Sequence, residues 1–172
     1  MKNTVIVTCR VFASILSAIL LILSFHPYQV GWLAWIALVP LLVAMSGRSV
    51  KAGFFLSCLC MMIFFAAVFA FTLQIPAYTV FHHAILDLYL GPLYGLFGLA
   101  YAVFRRKWGI AIALLGAPFV WVCLEYMRVN FGVLGFPWVL LAYSQYTNLP
   151  IIQVASIAGA YGVSFLIVMV NV

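Results

Sequence analysis

The chain has 172 residues, 69% of them hydrophobic and 6% charged, with a formal net charge of +6. A soluble domain carries roughly 25% charged residues, and the deficit here runs the whole length, so no water-soluble domain is expected at either end. The basic residues sit at the ends of apolar runs and are not interleaved with aromatics, which makes them topology markers and argues against nucleic acid as a partner.

In lipid, every backbone polar group must be paired within the protein, which leaves helices or closed barrels. The apolar runs are continuous and about twenty residues long, without the alternation of barrel strands. The expectation is an all-α integral membrane protein, a single transmembrane domain over 1–172. It should form a bundle of about six transmembrane helices with an outer-face re-entrant or interfacial segment.

In chain order, the first span is read from Val11 to Phe25, after Lys2 and Arg10, and His26-Pro27-Tyr28 breaks it. Its basic start resembles a signal peptide, but no small-residue cleavage site follows, so a retained span is expected. The second runs from Val30 to Met45 and contains Pro40. The third covers Ala52 to Leu73, the fourth Ala84 to Phe104, the fifth Trp108 to Met127, and the sixth Ile151 to Val172. With the N-terminus inside, seven basic residues face inward: Lys2, Arg10, Arg48, Lys51, Arg105, Arg106 and Lys107. Only Arg128 is left outside, an asymmetry that fixes orientation. It places His26–Gln29, Gln74–His83 and Asn130–Pro150 at the outer face. The last run has no basic cluster after it, so a longer chain is expected. Its small pairs, Ala155 with Gly159 and Ala158 with Gly162, suggest close helix packing.

Chemistry-bearing residues are few. Cys9, Cys58, Cys60 and Cys123 all lie in apolar runs and are expected to pack as small apolar groups, without disulfides or metal. The two carboxylates are Asp87 and Glu125. Glu125 and Arg128 are three apart on one helix face, which suggests a local ion pair anchoring the helix at the interface. His83 and Asp87 are four apart but lack a third ligand, so metal is not expected and interfacial polar groups are. Ser144 has neither a Gly-x-Ser-x-Gly setting nor a following histidine. The stretch Gly132 to Gln145 carries three helix breakers, Gly132, Gly135 and Pro137, within an apolar segment, so it should lie in or on the outer interface. Trp138, Tyr143 and Tyr146 suit the headgroup level, as an ordinary aromatic belt or as a surface for a lipid substrate.

Several blocks together resemble one family. They are Leu23-Ser24-Phe25-His26-Pro27 through Gly31-Trp32-Leu33-Ala34-Trp35 to Leu42, then Ala117-Pro118 with Trp121, Glu125 and Arg128. Gly135-Phe136-Pro137-Trp138 and Tyr143-Ser144-Gln145 follow, continuing to Gln153, Tyr161-Gly162-Val163-Ser164-Phe165-Leu166 and Asn171. In order and spacing they resemble the membrane region of apolipoprotein N-acyltransferases.

The resemblance implies a bacterial inner-membrane enzyme, N-terminus cytoplasmic. It would move an acyl chain from a phospholipid donor to a diacylglyceryl lipoprotein acceptor, without cofactor. Its chemistry would run through a cysteine thioester in a nitrilase-like domain to which no residue here corresponds, so no catalytic residue is assigned and this region alone is expected to be inactive. Lipid-facing substrate contacts are expected at Trp138, Phe136, Tyr143, Gln145, Glu125 and Arg128. Ala142 stands where the family usually has glycine, and Phe71-Thr72-Leu73 where a tryptophan-containing segment is common. The rival expectation is a multi-span scaffold or transport subunit without chemistry.

Overall fold

The computed structural model describes residues 2–47 and 49–172. Arg48, one of the residues counted for orientation, lies outside them. Helix α1 spans Lys2–Ser24, α2 Val39–Ala44, α3 Val50–Val68, α4 Val80–Trp108, α5 Ile110–Asn130, α6 Leu149–Gln153 and α7 Ala155–Asn171. No strand occurs among the described residues. Four helices are long and apolar enough to cross a membrane: Thr4–Ser24, Val50–Gln74 (α3 with the 3-10 turn after it), α4 and α5. Two apolar segments, Gly31–Ala44 and α7, are shorter.

Helices α3 and α4 form the tightest pair. Gly53 and Gly98 face each other so closely that a Cβ on Gly53 would sit 2.6 Å from the Gly98 carbonyl oxygen. Such backbone approach is how helices pack in lipid, where apolar burial supplies no drive between them. Ser57 Oγ ties the same pair by donating to Tyr94 O at 2.7 Å. Ser14 on α1 donates to Leu56 O on α3, also at 2.7 Å. The core between these helices is aromatic: Phe65 contacts Tyr94, and Tyr94 contacts Trp121.

The second span is not one continuous helix. A 3-10 turn at Gly31–Trp35 leads through a bend into α2, with Pro40 in its first turn. Pro40 has no N–H, and a proline is tolerated at a helix start but not in its interior. Irregular backbone at membrane depth survives only where protein covers it, and that cover is visible. Leu41 N–H donates to Ser17 Oγ at 2.8 Å and Leu38 N–H to Asn171 Oδ1 at 2.8 Å. Asn171 Nδ2 returns a bond to Ala34 O at 3.0 Å.

The sixth run is also broken. It divides into α6 and α7, and Gly159 has φ +65° and ψ −177°, a kink inside α7. Ala158 and Gly159 are exposed, and the buried face of α7 is Val163, Ser164, Ile167, Val168 and Asn171. Of the small residues expected to pack against a neighbouring helix, Ala158 and Gly159 therefore do not, while Ala155 is partly buried against the core. Gly159 instead supplies a positive φ that residues with a Cβ rarely adopt.

Candidate functional site: a clamped segment after the fifth helix

After α5 the chain reverses sharply. Phe136 N–H donates to Arg128 O at 2.8 Å. A Cβ at Gly135 would lie 2.6 Å from Val129 O, so glycine is required at this turn. The chain then runs without regular structure to Leu140 and enters a 3-10 turn at Leu141–Gln145, with Leu140, Leu141 and Ala142 buried. The segment folds back against α5 and α7 before α6.

Its backbone groups, and the side-chain amide of Gln145, are met from three directions. From α5, Glu125 Oε1 accepts the Leu141 N–H at 2.7 Å and the Trp121 indole N–H at 3.1 Å. Arg128 donates from Nη1 to Trp138 O at 2.6 Å and from Nη2 to Val139 O at 3.2 Å. From α7, Ser164 Oγ accepts the Ala142 N–H at 3.0 Å. From the turn after α1, Gly31 O accepts from Gln145 Nε2 at 2.7 Å, and Trp35 Nε1 donates to Gln145 Oε1 at 3.0 Å. Charged donors and acceptors make stronger hydrogen bonds than neutral ones. They hold Val139 at φ +59°, a conformation that costs a β-branched residue on the order of 1–3 kcal/mol.

Glu125 and Arg128 are not an interfacial ion pair. The acid–base contact found within 4 Å among the described residues is instead His83 with Asp87, charged on both sides only when the histidine is protonated. Glu125 and Arg128 are 1% and 0% exposed, and their hydrogen bonds go to the returning segment. Their i,i+3 spacing sets them on one face, but the loop lies above that face and supplies partners with better geometry. The guanidinium also lies over the rings of Phe65 and Tyr94, at 5.6 and 5.8 Å.

Of the six residues expected to face lipid, Trp138 and Tyr143 are about half exposed and Phe136 is half-buried. Glu125, Arg128 and Gln145 lie beneath them, buried, and hold the chain's own backbone. The Trp138 indole stacks on Phe71, centroids 6.4 Å apart and planes at 7°, and on Phe136 at 6.3 Å. Phe136 in turn meets Phe69 edge-on at 5.2 Å. Phe71, noted from sequence as a departure from a tryptophan-containing pattern, thus fills an aromatic role beside Trp138.

His83 and Asp87, near the start of α4, are buried against neighbouring elements. His83 Nε2 lies 3.6 Å from Asp87 Oδ2 and 3.1 Å from Ala66 O, and Nδ1 lies 3.5 Å from Thr72 Oγ1. They fasten α4 to the end of α3 and to the 3-10 turn that carries Phe71. No group of three metal-ligating side chains occurs among the described residues. Next to this patch, an apolar groove of about 490 Å³ opens between the start of α4 and the loop after α5, walled by Tyr78, His82, Leu86, Tyr89, Leu134 and Phe136.

Sequence reasoning missed the strained Val139, Ser164 as an acceptor and His83 as a tie. The Trp121–Glu125 spacing of four was a usable signal, since side chains at i and i+4 meet on a helix.

The family model described as apolipoprotein N-acyltransferase N-terminal domain matches residues 17–172. An apolipoprotein N-acyltransferase from Geobacter metallireducens is 38% identical over 166 residues, covering 92% of this chain and 32% of the relative. One from Chlorobaculum tepidum is 32% identical, covering 94% and 30%, and one from Thermotoga maritima 30% identical, covering 94% and 34%. The chain spans about a third of the length of these curated relatives.

Proposed function

The chain belongs to the apolipoprotein N-acyltransferase family, whose N-terminal domain it carries, and from that premise we propose that it forms the membrane region of an enzyme acylating lipoproteins. The donor would be a phospholipid, the acceptor the N-terminal diacylglyceryl-cysteine of a lipoprotein, and the setting the bacterial inner membrane. The bond-making groups would lie in the nitrilase-like domain that the resemblance implies. Residues 1–172 would anchor the enzyme and shape the approach of lipid.

The observation that carries this reading is the clamped segment from Gly135 to Gln145. A buried frame of Glu125, Arg128, Ser164 and Gln145 presents two exposed aromatics: Trp138, stacked on Phe136 in the wall of the 490 Å³ groove, and Tyr143, which lines a separate groove of about 190 Å³ with Tyr146 and Ile152. Both substrates bring acyl chains, and each methylene removed from water contributes about 0.8 kcal/mol. Phe136 would wall the groove. The indole N–H of Trp138 and the hydroxyl of Tyr143 would meet ester or phosphate oxygens, since such side chains join an apolar body to a polar tip.

The reading requires this segment to face the periplasm, as the basic residues at the opposite end suggest. In a cysteine-free background, a cysteine at Asn148 should react with a membrane-impermeant thiol reagent in intact spheroplasts, and one at Lys107 should not. Both positions are exposed. Labelling at 107 but not at 148 would overturn the orientation, and with it this function for the outer segment.

A further inference from the structure

The opposite end of the bundle holds a second groove. It lies between α1 and α3, has a volume of about 240 Å³, and is walled by apolar side chains, among them Val7, Ala52, Phe55 and Leu59, with Arg10 as its polar member. Phe55 is 66% exposed, so the apolar wall opens outward to the bilayer and not into the protein. Helices α1 and α3 run in the same direction, and the Ser14–Leu56 bond sets their register. That register puts Arg10 level with Ala52, one residue from the exposed Lys51. From Ala52 to Leu59 the groove extends about 10 Å along α3, at 1.5 Å per residue.

The Arg10 guanidinium packs against the loop before α3. It lies against the backbone of Gly47, where a Cβ would come within 2.6 Å of Nη1. No carboxylate competes for it at this end. The two acidic residues of the chain, Asp87 and Glu125, sit in the halves of α4 and α5 nearer the aromatic patch. Arg105, Arg106 and Lys107 close α4 at the same end as Arg10, so the local field is positive. An apolar slot open to the bilayer, with Arg10 in its wall and the exposed Lys51 next in sequence to its Ala52, is complementary to one kind of molecule.

We propose that this groove seats an acyl chain of a phospholipid with an anionic headgroup, its phosphate held between Arg10 and Lys51. Basic residues near a membrane surface attract anionic lipid by about 1 kcal/mol each, equivalent to about a fivefold change in binding. The site is independent of the aromatic patch and of the acyltransferase reading. It would bind lipid as a fixed structural partner at the basic face.

The test uses the purified chain in detergent with equal amounts of phosphatidylglycerol and phosphatidylethanolamine, and counts retained lipid by native mass spectrometry. Phosphatidylglycerol should be retained in preference. Arg10→Gln should lower its retention about fivefold. Ala52→Phe, which fills the slot without altering charge, should lower it comparably. Arg106→Gln, at an exposed cation of the same end outside the groove, should leave it unchanged. Equal losses in Arg10→Gln and Arg106→Gln would show diffuse attraction only and overturn the site. So would unchanged retention in Ala52→Phe, equal retention of the two lipids, or a second copy of the chain in place of lipid. If Arg10→Gln does not yield a monodisperse protein, Lys51→Gln replaces it, with a smaller but selective loss of phosphatidylglycerol expected.

Discussion

An Arg128→Leu protein should lose about 3 kcal/mol of stability or more, the range seen when one member of a buried set of charges is removed. Two things happen at once. The carbonyls of Trp138 and Val139 lose their donors, and Glu125 is left buried with no cation near it. Its Oε2 already has no hydrogen-bond partner, so it has little else to lean on. Glu125→Gln should cost less, because the amide oxygen can still accept from Leu141 N–H and Trp121 Nε1–H. The combination decides between two accounts. If the residues mainly neutralised each other, the double variant would regain much of the loss of Arg128→Leu. If each mainly clamps the returning segment, the double variant should be at least as unstable as Arg128→Leu alone. Melting of the purified proteins in detergent measures this, and hydrogen exchange at residues 138–142 should rise in every variant lacking Arg128. Recovery in the double variant, with slow exchange there, would remove the clamp.

Gly98→Val should be comparably damaging for a different reason. A Cβ at Gly98 runs into the carbonyl of Gly53 on the facing helix, and backbone cannot rotate away as a side chain can. Helices α3 and α4 must then separate, opening the bond from Ser57 to Tyr94 O and the aromatic stack above it. Overpacking of this kind costs about 3 kcal/mol at the upper end of its usual range. Gly116→Ala is the matched control. Its Cβ would meet Phe104 ring carbons at 2.9 Å, and a ring at the edge of the bundle can swing aside. Melting temperatures in detergent should therefore fall far more for Gly98→Val than for Gly116→Ala. Equal, small effects would mean that the close approach of α3 and α4 is not essential.

The helical class, the four long spans and the break in the chain after α5 were legible because they follow from hydropathy and from breakers at fixed positions. What was not legible depends on partners far away in sequence. The run from Val30 to Met45 reads as a span, yet it is a 3-10 turn and a short helix. Its broken backbone is tolerable only because Ser17 and Asn171 reach it from α1 and α7. The pairs Ala155–Gly159 and Ala158–Gly162 have the spacing of a packing motif, but spacing does not reveal that Gly159 bends the chain. Glu125 and Arg128 looked like partners because sequence shows i,i+3 neighbours and not the loop that folds over them. Gln145 looked lipid-facing because its contacts, Trp35 and Gly31, are more than a hundred residues away.

On the proposed function, this region arranges lipid at the outer face while bond formation belongs to the nitrilase-like domain that the family resemblance implies. The direct measurement is made in bacteria depleted of their own N-acyltransferase, with lipoprotein N-termini read by mass spectrometry. Residues 1–172 alone should leave lipoproteins diacylated. The same residues joined to the remaining part of the Geobacter metallireducens relative should restore triacylation, and Trp138→Ala in the joined protein should reduce it. Triacylated lipoproteins produced by residues 1–172 alone would contradict the account, because the chemistry would then reside in side chains assigned here to anchoring and presentation.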